Sequence, residues 1–411
     1  MLSRLRNWGS AVLLALAPLL AGFYVAAVDI ADGSLVPWDP RMVDFEVYRR
    51  TAELVLAGAD IFNVDGLPWV YPPFAAVLAV PLALPPWPVI TAAWIVLCVA
   101  ALAAVLFRLG LSGWRLSLLL VVAILFISPV RQTIAFGQLG ILLVAAAVLD
   151  SMPGPRFFRR RILPEGWLTG LATAVKLTPA VIAVHNFVVG RRRPAWVAFG
   201  AFVVATAIGF AVLWGPSLSY WMKLGGGDSG TNNGIIYGAN QSLLSMWARL
   251  ARSSSMGGVW LSLLVLALGL WAAALMYRRG QARLALVLAG VAGLLASPIS
   301  WSHHYVWVLP LAVILWQERS LPGYFRWPGL GYALWGMAAP FMYLPMGGDI
   351  EFTYGWWELV VDDLGIVAGV ALLAGAVGTA LGPWGRRGAQ AVAQAEADLV
   401  QAQLIEVEEP E

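Results

Sequence analysis

An acidic residue in the first polar stretch of the chain, Asp44, is the leading candidate for chemistry in a sequence with few charges. Charged residues make up 12% of the 411 residues, whereas hydrophobic residues make up 60%. Asp44 lies in residues 41–50, which separate the first long apolar segment from the next. A carboxylate within hydrogen-bond reach of a hydroxyl can accept its proton as a general base. Glu46 is the reserve candidate, because on a helix it would not face the same way as Asp44.

Two other roles for Asp44 stay open at this point. Apolar residues at helical spacing predict a helix along the membrane surface that begins at Asp44, and Asp is favoured as the N-cap of such a helix. The residues of this apolar stripe are Phe45, Tyr48, Ala52 and Val55. Asp44 could also share a divalent metal with Asp39 or Glu46, but no ligand spacing indicates one. We therefore predict no cofactor, with a divalent metal not excluded.

Lys176 is a second candidate, because an ionisable side chain inside a membrane segment is costly and by default functional. The apolar stretch 166–190 lies between two arginine triplets, residues 159–161 and 191–193. Since basic loops stay in the cytoplasm, we predict two half-length helices that enter and leave on one side, with Lys176 at the buried tip. The lysine could instead extend along its helix toward the interface.

Further polar residues fall on the outer side of this topology. Arg131, in the polar insertion 130–138, could bind a phosphate of the substrate or simply a lipid headgroup. Of His303 and His304, we expect one in the site and one in a structural role, and the sequence leaves the choice open. The remaining candidates for substrate binding are Tyr71, Gln138, Asn240, Gln241 and Trp301.

The elements that must position these residues are membrane helices. A mean hydropathy of +0.77, with continuous apolar runs, indicates an all-α polytopic membrane protein. We predict about 11–12 transmembrane or re-entrant helices within residues 1–385. Residues 29–72 form a first periplasmic loop with a surface helix, and residues 386–411 form an acidic cytoplasmic tail. The arginine-rich loops place both termini in the cytoplasm and the candidate residues on the periplasmic face of the plasma membrane.

A series of short motifs runs in order along essentially the whole chain. They are Asp-Phe-Glu-Val-Tyr from Asp44, Tyr-Pro-Pro-Phe from Tyr71, Gly-Gln from Gly137, Lys-Leu-Thr-Pro from Lys176, Asn-Gln-Ser from Asn240 and Ser-Pro-Ile-Ser-Trp-Ser-His-His from Ser297. Their order and spacing resemble the actinobacterial polyprenol-phosphate-mannose-dependent mannosyltransferases of the GT-C superfamily. The PimE-like enzymes of phosphatidylinositol mannoside synthesis belong to this group.

The resemblance implies a GT-C type fold and a single inverting transfer of mannose from polyprenyl-phosphate-mannose to a glycolipid acceptor. It also implies Asp44 as the base, and His303 or His304 as a catalytic histidine in a later outer turn. Lys176, Arg131 or a histidine would stabilise the departing phosphate. The partners would be the two lipid substrates and the bilayer, and the small formal charge of +3 gives no sign of nucleic acid.

Other functions compete with this interpretation. A relative of the same superfamily would use polyprenyl-phosphate-arabinofuranose or a lipomannan acceptor. No residue in the sequence identifies which sugar the donor carries. A lipid or solute transporter would explain broken helices and charges within the membrane, but it predicts paired halves that we do not find. A membrane scaffold would leave Lys176 and the histidine pair without a role.

Overall fold

The computed structural model describes residues 2–28, 40–62, 66–158, 160–226, 234–253 and 256–385. The predicted acidic tail, residues 386–411, lies outside these residues, and so does Asp39. The described chain consists of helices and turns, with an isolated bridge between Asn240 and Trp301.

Seventeen α-helices follow one another along the described residues. The first nine are α1 (Leu2–Val28), α2 (Val43–Ala57), α3 (Pro73–Ala79), α4 (Trp87–Arg108), α5 (Gly113–Phe126), α6 (Ser128–Phe136), α7 (Gly140–Ser151), α8 (Trp167–Val175) and α9 (Ala180–Val188). The others are α10 (Arg192–Val212), α11 (Trp214–Gly225), α12 (Leu243–Ala251), α13 (Val259–Arg278), α14 (Ala282–Ala296), α15 (Val308–Gln317), α16 (Gly323–Ala338) and α17 (Trp356–Leu381). Short 3₁₀ turns cover Val80–Ala83, Met256–Gly258, Ser302–Trp307, Pro340–Tyr343 and Ile350–Thr353.

Four of the described helices, α4, α10, α13 and α17, are long and apolar enough to cross a membrane. The pair α5 and α6, bent by 75°, makes a fifth if it is one span. Shorter apolar helices cover Leu14–Val28, Pro73–Ala83, Gly140–Ser151 and Ala282–Ala296. Phe199, Val204 and Val212 of α10 are exposed, as expected of side chains that face lipid. The all-α polytopic membrane class is confirmed, and the number of crossings stays a prediction.

Helix α2 is the predicted amphipathic helix of the first polar loop. Phe45, Tyr48 and Ala52 are buried on one face, and Val55 is half-buried. The helix begins at Val43 and ends before a glycine in the left-handed conformation, whose backbone N–H bonds back into the last turn. Packing of this apolar face, rather than a side-chain cap, therefore holds α2 in place.

Helices α8 and α9 form the hairpin that was predicted around Lys176. They are separated by residues 176–179, and Lys176 follows the last residue of α8. The far ends of the two helices lie together, because the Arg191 guanidinium pairs with the Glu165 carboxylate and donates to the carbonyl oxygen of Ser151. Lys176 is therefore at the opposite end of the hairpin from these arginine-rich loops.

The turn between α6 and α7 lies directly against α2. Helix α6 has Pro129 in its first turn and ends at Gly137, whose φ of 72° is left-handed. A Cβ at Gly137 would also collide with the Cβ atom of Phe45. Glycine is required here for both reasons, and the close packing brings the next residue, Gln138, up to the first turn of α2.

Candidate active site

The tip of the α8–α9 hairpin meets the 3₁₀ turn that precedes α15. The Nζ atom of Lys176 lies 2.7 Å from Nε2 of His304. The same Nζ atom lies 5.4 Å from the ring centroid of Tyr71, a distance at which an ammonium group is attracted to the face of the ring. Lys176 therefore joins two of the predicted site residues that are far apart in the sequence.

Asp44 lies in the first turn of α2, but it is not the N-cap. The N-cap is Met42, which makes no side-chain cap bond. The Gln138 side chain and the Lys176 ammonium group both lie near enough to the Asp44 carboxylate to favour its charged form. Burial raises the pKa of Asp44, while the Gln138 hydrogen bond and the positive charge of Lys176 oppose that rise. Glu46 is exposed, so its surroundings differ from those of Asp44.

Two tyrosine hydroxyls surround the side-chain oxygen of Gln138. Tyr48 donates to Oε1 of Gln138 at 3.1 Å, and Tyr71 donates to the same atom at 3.3 Å. The two hydroxyl oxygens are 3.1 Å apart. All three side chains are buried. Sequence reasoning singled out Tyr71 and Gln138 but treated Tyr48 as part of an apolar stripe, since helical spacing does not reveal a hydroxyl partner 90 residues away.

The two histidines have different surroundings. His304 uses Nδ1 to accept the backbone N–H of Trp301 at 3.1 Å, and its Nε2 faces Lys176. His303 is buried, its ring meets the edge of the Phe136 ring with centroids 5.7 Å apart, and its Nε2 atom has no hydrogen-bond partner in the described residues. The structure therefore brings His304, rather than His303, to Lys176.

Helix α6 anchors the histidine turn. The Thr133 hydroxyl donates to the carbonyl oxygen of His303 at 3.1 Å, and the Ser302 hydroxyl donates to Oε1 of Gln132 at 2.5 Å. Sequence reasoning missed both α6 residues, although they lie inside the polar insertion 130–138. Arg131, which it did select, is half-buried on the same helix.

An apolar cavity of about 40 Å³ lies next to Lys176 and His304. Its lining includes Gly140, Leu143, Val144, Val181, Ile182 and Trp307. The cavity therefore combines a cationic or hydrogen-bonding end with an apolar interior.

Asn240 and Trp301 hold a neighbouring loop to the histidine turn. The Asn240 amide donates to the carbonyl oxygens of Ile235 and Pro298, and its Oδ1 accepts the backbone N–H of Ser300 at 2.8 Å. Backbone groups therefore occupy both ends of this amide. Trp301 pairs with Asn240 in the isolated bridge and is half-buried.

Gln241 belongs to a second buried polar group, which we call the Arg249 cluster (Gln241, Arg249, Asp362 and Asp363). Arg249 lies 3.0 Å from Oδ2 of Asp362 and 2.5 Å from Oδ1 of Asp363. Gln241 donates to Oδ1 of Asp362 at 3.0 Å and to the carbonyl oxygen of Gly238. The structure thus assigns Gln241 to this cluster. Among the described residues, no three His, Cys, Asp or Glu side chains converge as metal ligands would.

The structure thus places a carboxylate and a lysine–histidine pair in one partly buried site of a helical membrane protein. The sequence profile of glycosyltransferase family 87 matches residues 69–298, more than half of the chain. The chain belongs to this family and is a glycosyltransferase.

Named relatives match most of the chain. A polyprenol-phosphate-mannose-dependent alpha-(1-2)-phosphatidylinositol mannoside mannosyltransferase of Mycobacterium tuberculosis is 29% identical, over 89% of this chain and 92% of the relative. A protein of the same name from Mycolicibacterium smegmatis is 31% identical, over 84% of this chain and 89% of the relative. A pentamannoside mannosyltransferase of Mycobacterium tuberculosis is 36% identical over 62% of this chain and 61% of the relative. No solved structure matches.

Proposed function

We propose that this glycosyltransferase moves mannose from polyprenyl-phosphate-mannose to a glycolipid of the phosphatidylinositol mannoside type. The observation that carries the proposal is the connection of Asp44, through Gln138 and Tyr71, to the Lys176–His304 pair. A base and a cationic group are thus held on one buried polar network. The relatives that match most of the chain are named for this donor and this acceptor class.

Each residue then has a defined role in one displacement. The acceptor hydroxyl attacks the anomeric carbon, and its proton passes to the Asp44 carboxylate. The bond between the anomeric carbon and the phosphate oxygen breaks, and its electron pair leaves with the polyprenyl phosphate. Lys176, supported by His304, stabilises the charge that grows on that phosphate. A single displacement inverts the anomeric configuration, and no covalent enzyme intermediate forms.

The distribution of arginines supports a site on the periplasmic face. Arg191 bonds to the carbonyl oxygen of Ser151, and Arg283 bonds to that of Pro153, so three basic loops meet at one end of the helices. Lys176 lies at the opposite end of its hairpin. Because basic loops remain in the cytoplasm, we assign this end, and both termini, to the cytoplasmic side.

The test of the reaction is transfer of labelled mannose in liposomes from polyprenyl-phosphate-mannose to a phosphatidylinositol mannoside extract. Asp44→Asn keeps the size of the side chain but removes the base. We expect its turnover to fall by about 10²–10⁴-fold, the usual contribution of a general base. Glu53→Gln, which changes an exposed acid of the same helix, is the matched control and should keep wild-type turnover.

Two results would count against the assignment. Full activity of Asp44→Asn, together with loss of activity in Glu46→Gln, would move the base to Glu46. Transfer to the extract from polyprenyl-phosphate-arabinofuranose, but not from the mannose donor, would change the sugar. The orientation of the chain in the membrane is tested separately, in a Cys98→Ala background. A membrane-impermeant maleimide should label Glu46→Cys but not Arg193→Cys in intact cells.

A further inference from the structure

We propose that Tyr48 is a positioning residue for Asp44: its hydroxyl fixes the amide of Gln138 so that the amide nitrogen faces the Asp44 carboxylate. This inference rests on the proposed function, in which Asp44 is the base. It assigns a role to a tyrosine that sequence reasoning placed in an apolar stripe, and it gives Gln138 a partner other than substrate.

The hydrogen-bond donors and acceptors around Gln138 determine which way its side-chain amide is oriented. The Tyr48 hydroxyl donates its proton to Oε1 of Gln138, 3.1 Å away. Tyr71 donates to the same oxygen, which fills both of its lone pairs. A reversed amide would place its two N–H groups against these hydroxyls and its oxygen against a carboxylate. The orientation with the nitrogen toward Asp44 is therefore the favourable one.

The surrounding rings hold the Tyr48 hydroxyl in place. The Tyr48 ring makes edge contacts with Trp69 and Tyr71, with centroids 6.1 Å and 5.6 Å apart, and a tilted contact with Trp94 at 6.2 Å. Tyr48 is 3% exposed and Gln138 is 4% exposed, so water does not compete for these bonds. The backbone N–H of Gln138 is also fixed, by a 2.8 Å bond to the carbonyl oxygen of Thr133.

The orientation of the Gln138 amide affects the ionisation of Asp44, the proposed base. Several charged or titratable groups lie on elements packed around Asp44. These are Tyr48 and Glu46 on α2, Tyr71 before α3, Arg131 on α6, and Lys176 with its partner His304. An amide N–H donated to a carboxylate favours its charged form and so opposes the effect of burial. If Tyr48 no longer holds the amide, Asp44 should protonate at a higher pH.

The test is the pH dependence of kcat/KM for mannosyl transfer by Tyr48→Phe, which removes the hydroxyl and keeps the ring. We expect the acidic limb of the profile to move up by about one pH unit, the effect of one lost hydrogen bond, with activity regained at high pH. Tyr332→Phe is the matched control. Tyr332 is buried, and its hydroxyl has no hydrogen-bond partner within the described chain, so its removal should leave the profile unchanged.

A double variant shows whether Tyr48 acts through Gln138. In a Gln138→Leu background the limb should already be shifted, and adding Tyr48→Phe should move it no further. Incorporation of fluorotyrosine at position 48, whose hydroxyl is a stronger donor, should move the limb in the opposite direction. This second measurement keeps the test decisive if Tyr48→Phe does not fold.

The outcomes separate this inference from the proposed function. A uniform fall in the activity of Tyr48→Phe across the pH range would overturn the positioning role and leave Asp44 as the base. Additive shifts in the double variant would also overturn it. An Asp44→Asn enzyme that keeps both its activity and the acidic limb would instead remove Asp44 as the base, and the inference with it, while leaving mannosyl transfer in place.

Discussion

The two buried polar groups of this protein use their cations differently. In the Arg249 cluster, Arg249 is bonded to both Asp362 and Asp363, and it also donates to the Ser245 hydroxyl and to backbone carbonyl oxygens. In the candidate active site, Lys176 has the His304 ring and the Tyr71 face as neighbours. Within the part of the chain that the structure describes, Lys176 forms no salt bridge.

This difference is the one that we expect between a structural charge and a functional one. A guanidinium whose donors are all filled by the protein joins segments far apart in sequence, here α12 and α17, and has nothing left to offer a substrate. An amine without a carboxylate partner keeps hydrogen-bond donors for an incoming phosphate. Variants that change one of the two groups and leave the other intact test this difference.

The largest effect is expected for Arg249→Met. The variant leaves Asp362 and Asp363 buried without their cation, which costs about 3–5 kcal/mol for a buried pair that loses one partner. We expect a strongly lowered melting temperature in detergent. The triple variant that also carries Asp362→Asn and Asp363→Asn should recover much of the loss, because no unpaired charge then remains. A melting temperature of Arg249→Met equal to that of the wild type would show that the cluster is not structural.

Lys176→Gln should have the converse effect. Its turnover should fall by about 10²–10³-fold, the usual loss when one preorganised group that stabilises developing charge is removed. Its melting temperature should change little, since no ion pair is broken. Lys223→Gln removes an exposed lysine of α11 and serves as the control for a general loss of positive charge. Equal turnover in the two lysine variants would remove Lys176 from the mechanism.

Substitutions of the two histidines should also differ in their effect on turnover, but by a smaller factor. His304→Phe removes the partner of Lys176, and we expect about tenfold lower turnover, since one supporting hydrogen bond to the lysine is lost. His303→Phe should keep turnover close to that of the wild type, because His303 packs on Phe136 and its Nε2 bonds to no described residue. The same transfer assay measures both variants. A larger loss in His303→Phe would reverse the assignment.

The two polar groups also differ in how far the sequence predicts them. Helical spacing predicted α2 and its buried face, and the arginine triplets predicted the hairpin with Lys176 at its tip, because both are local patterns with a direct physical cause. The choice between His303 and His304 could not be made, since it depends on the path of the 3₁₀ turn at Ser302–Trp307. Adjacent residues of such a turn face different neighbours.

The Arg249 cluster was missed for a different reason. Asp362 and Asp363 lie in an apolar segment and were not among the predicted site residues, although two acids in a membrane helix require partners. Their partner Arg249 is 114 residues away from Asp363, on a short amphipathic helix. Sequence alone could have pointed to an unknown cation for these acids, but only the packing of α12 on α17 identifies it. The same long-range packing decides that Gln241 belongs there.

The smallest effect should be on the melting temperature of Asp44→Asn, which we expect to change in the opposite direction to that of Asp363→Asn. Because burial raises the pKa of Asp44 in the folded protein, the group stabilises the fold at low pH, and this contribution is lost as the pH rises through the folded pKa. Asp44→Asn carries no such charge, so at pH 8 it should melt about 1–2 °C above the wild type. The gain should shrink as the pH falls through the pKa of Asp44 in the folded protein. Asp363→Asn removes one of the two negative charges that pair with the buried Arg249, so it should melt lower at pH 8. Opposite signs at these two acids would mean that the fold gives up stability to keep Asp44 ionisable, as expected of a catalytic group. Destabilisation in both variants would mean that Asp44 is held as tightly as the structural pair.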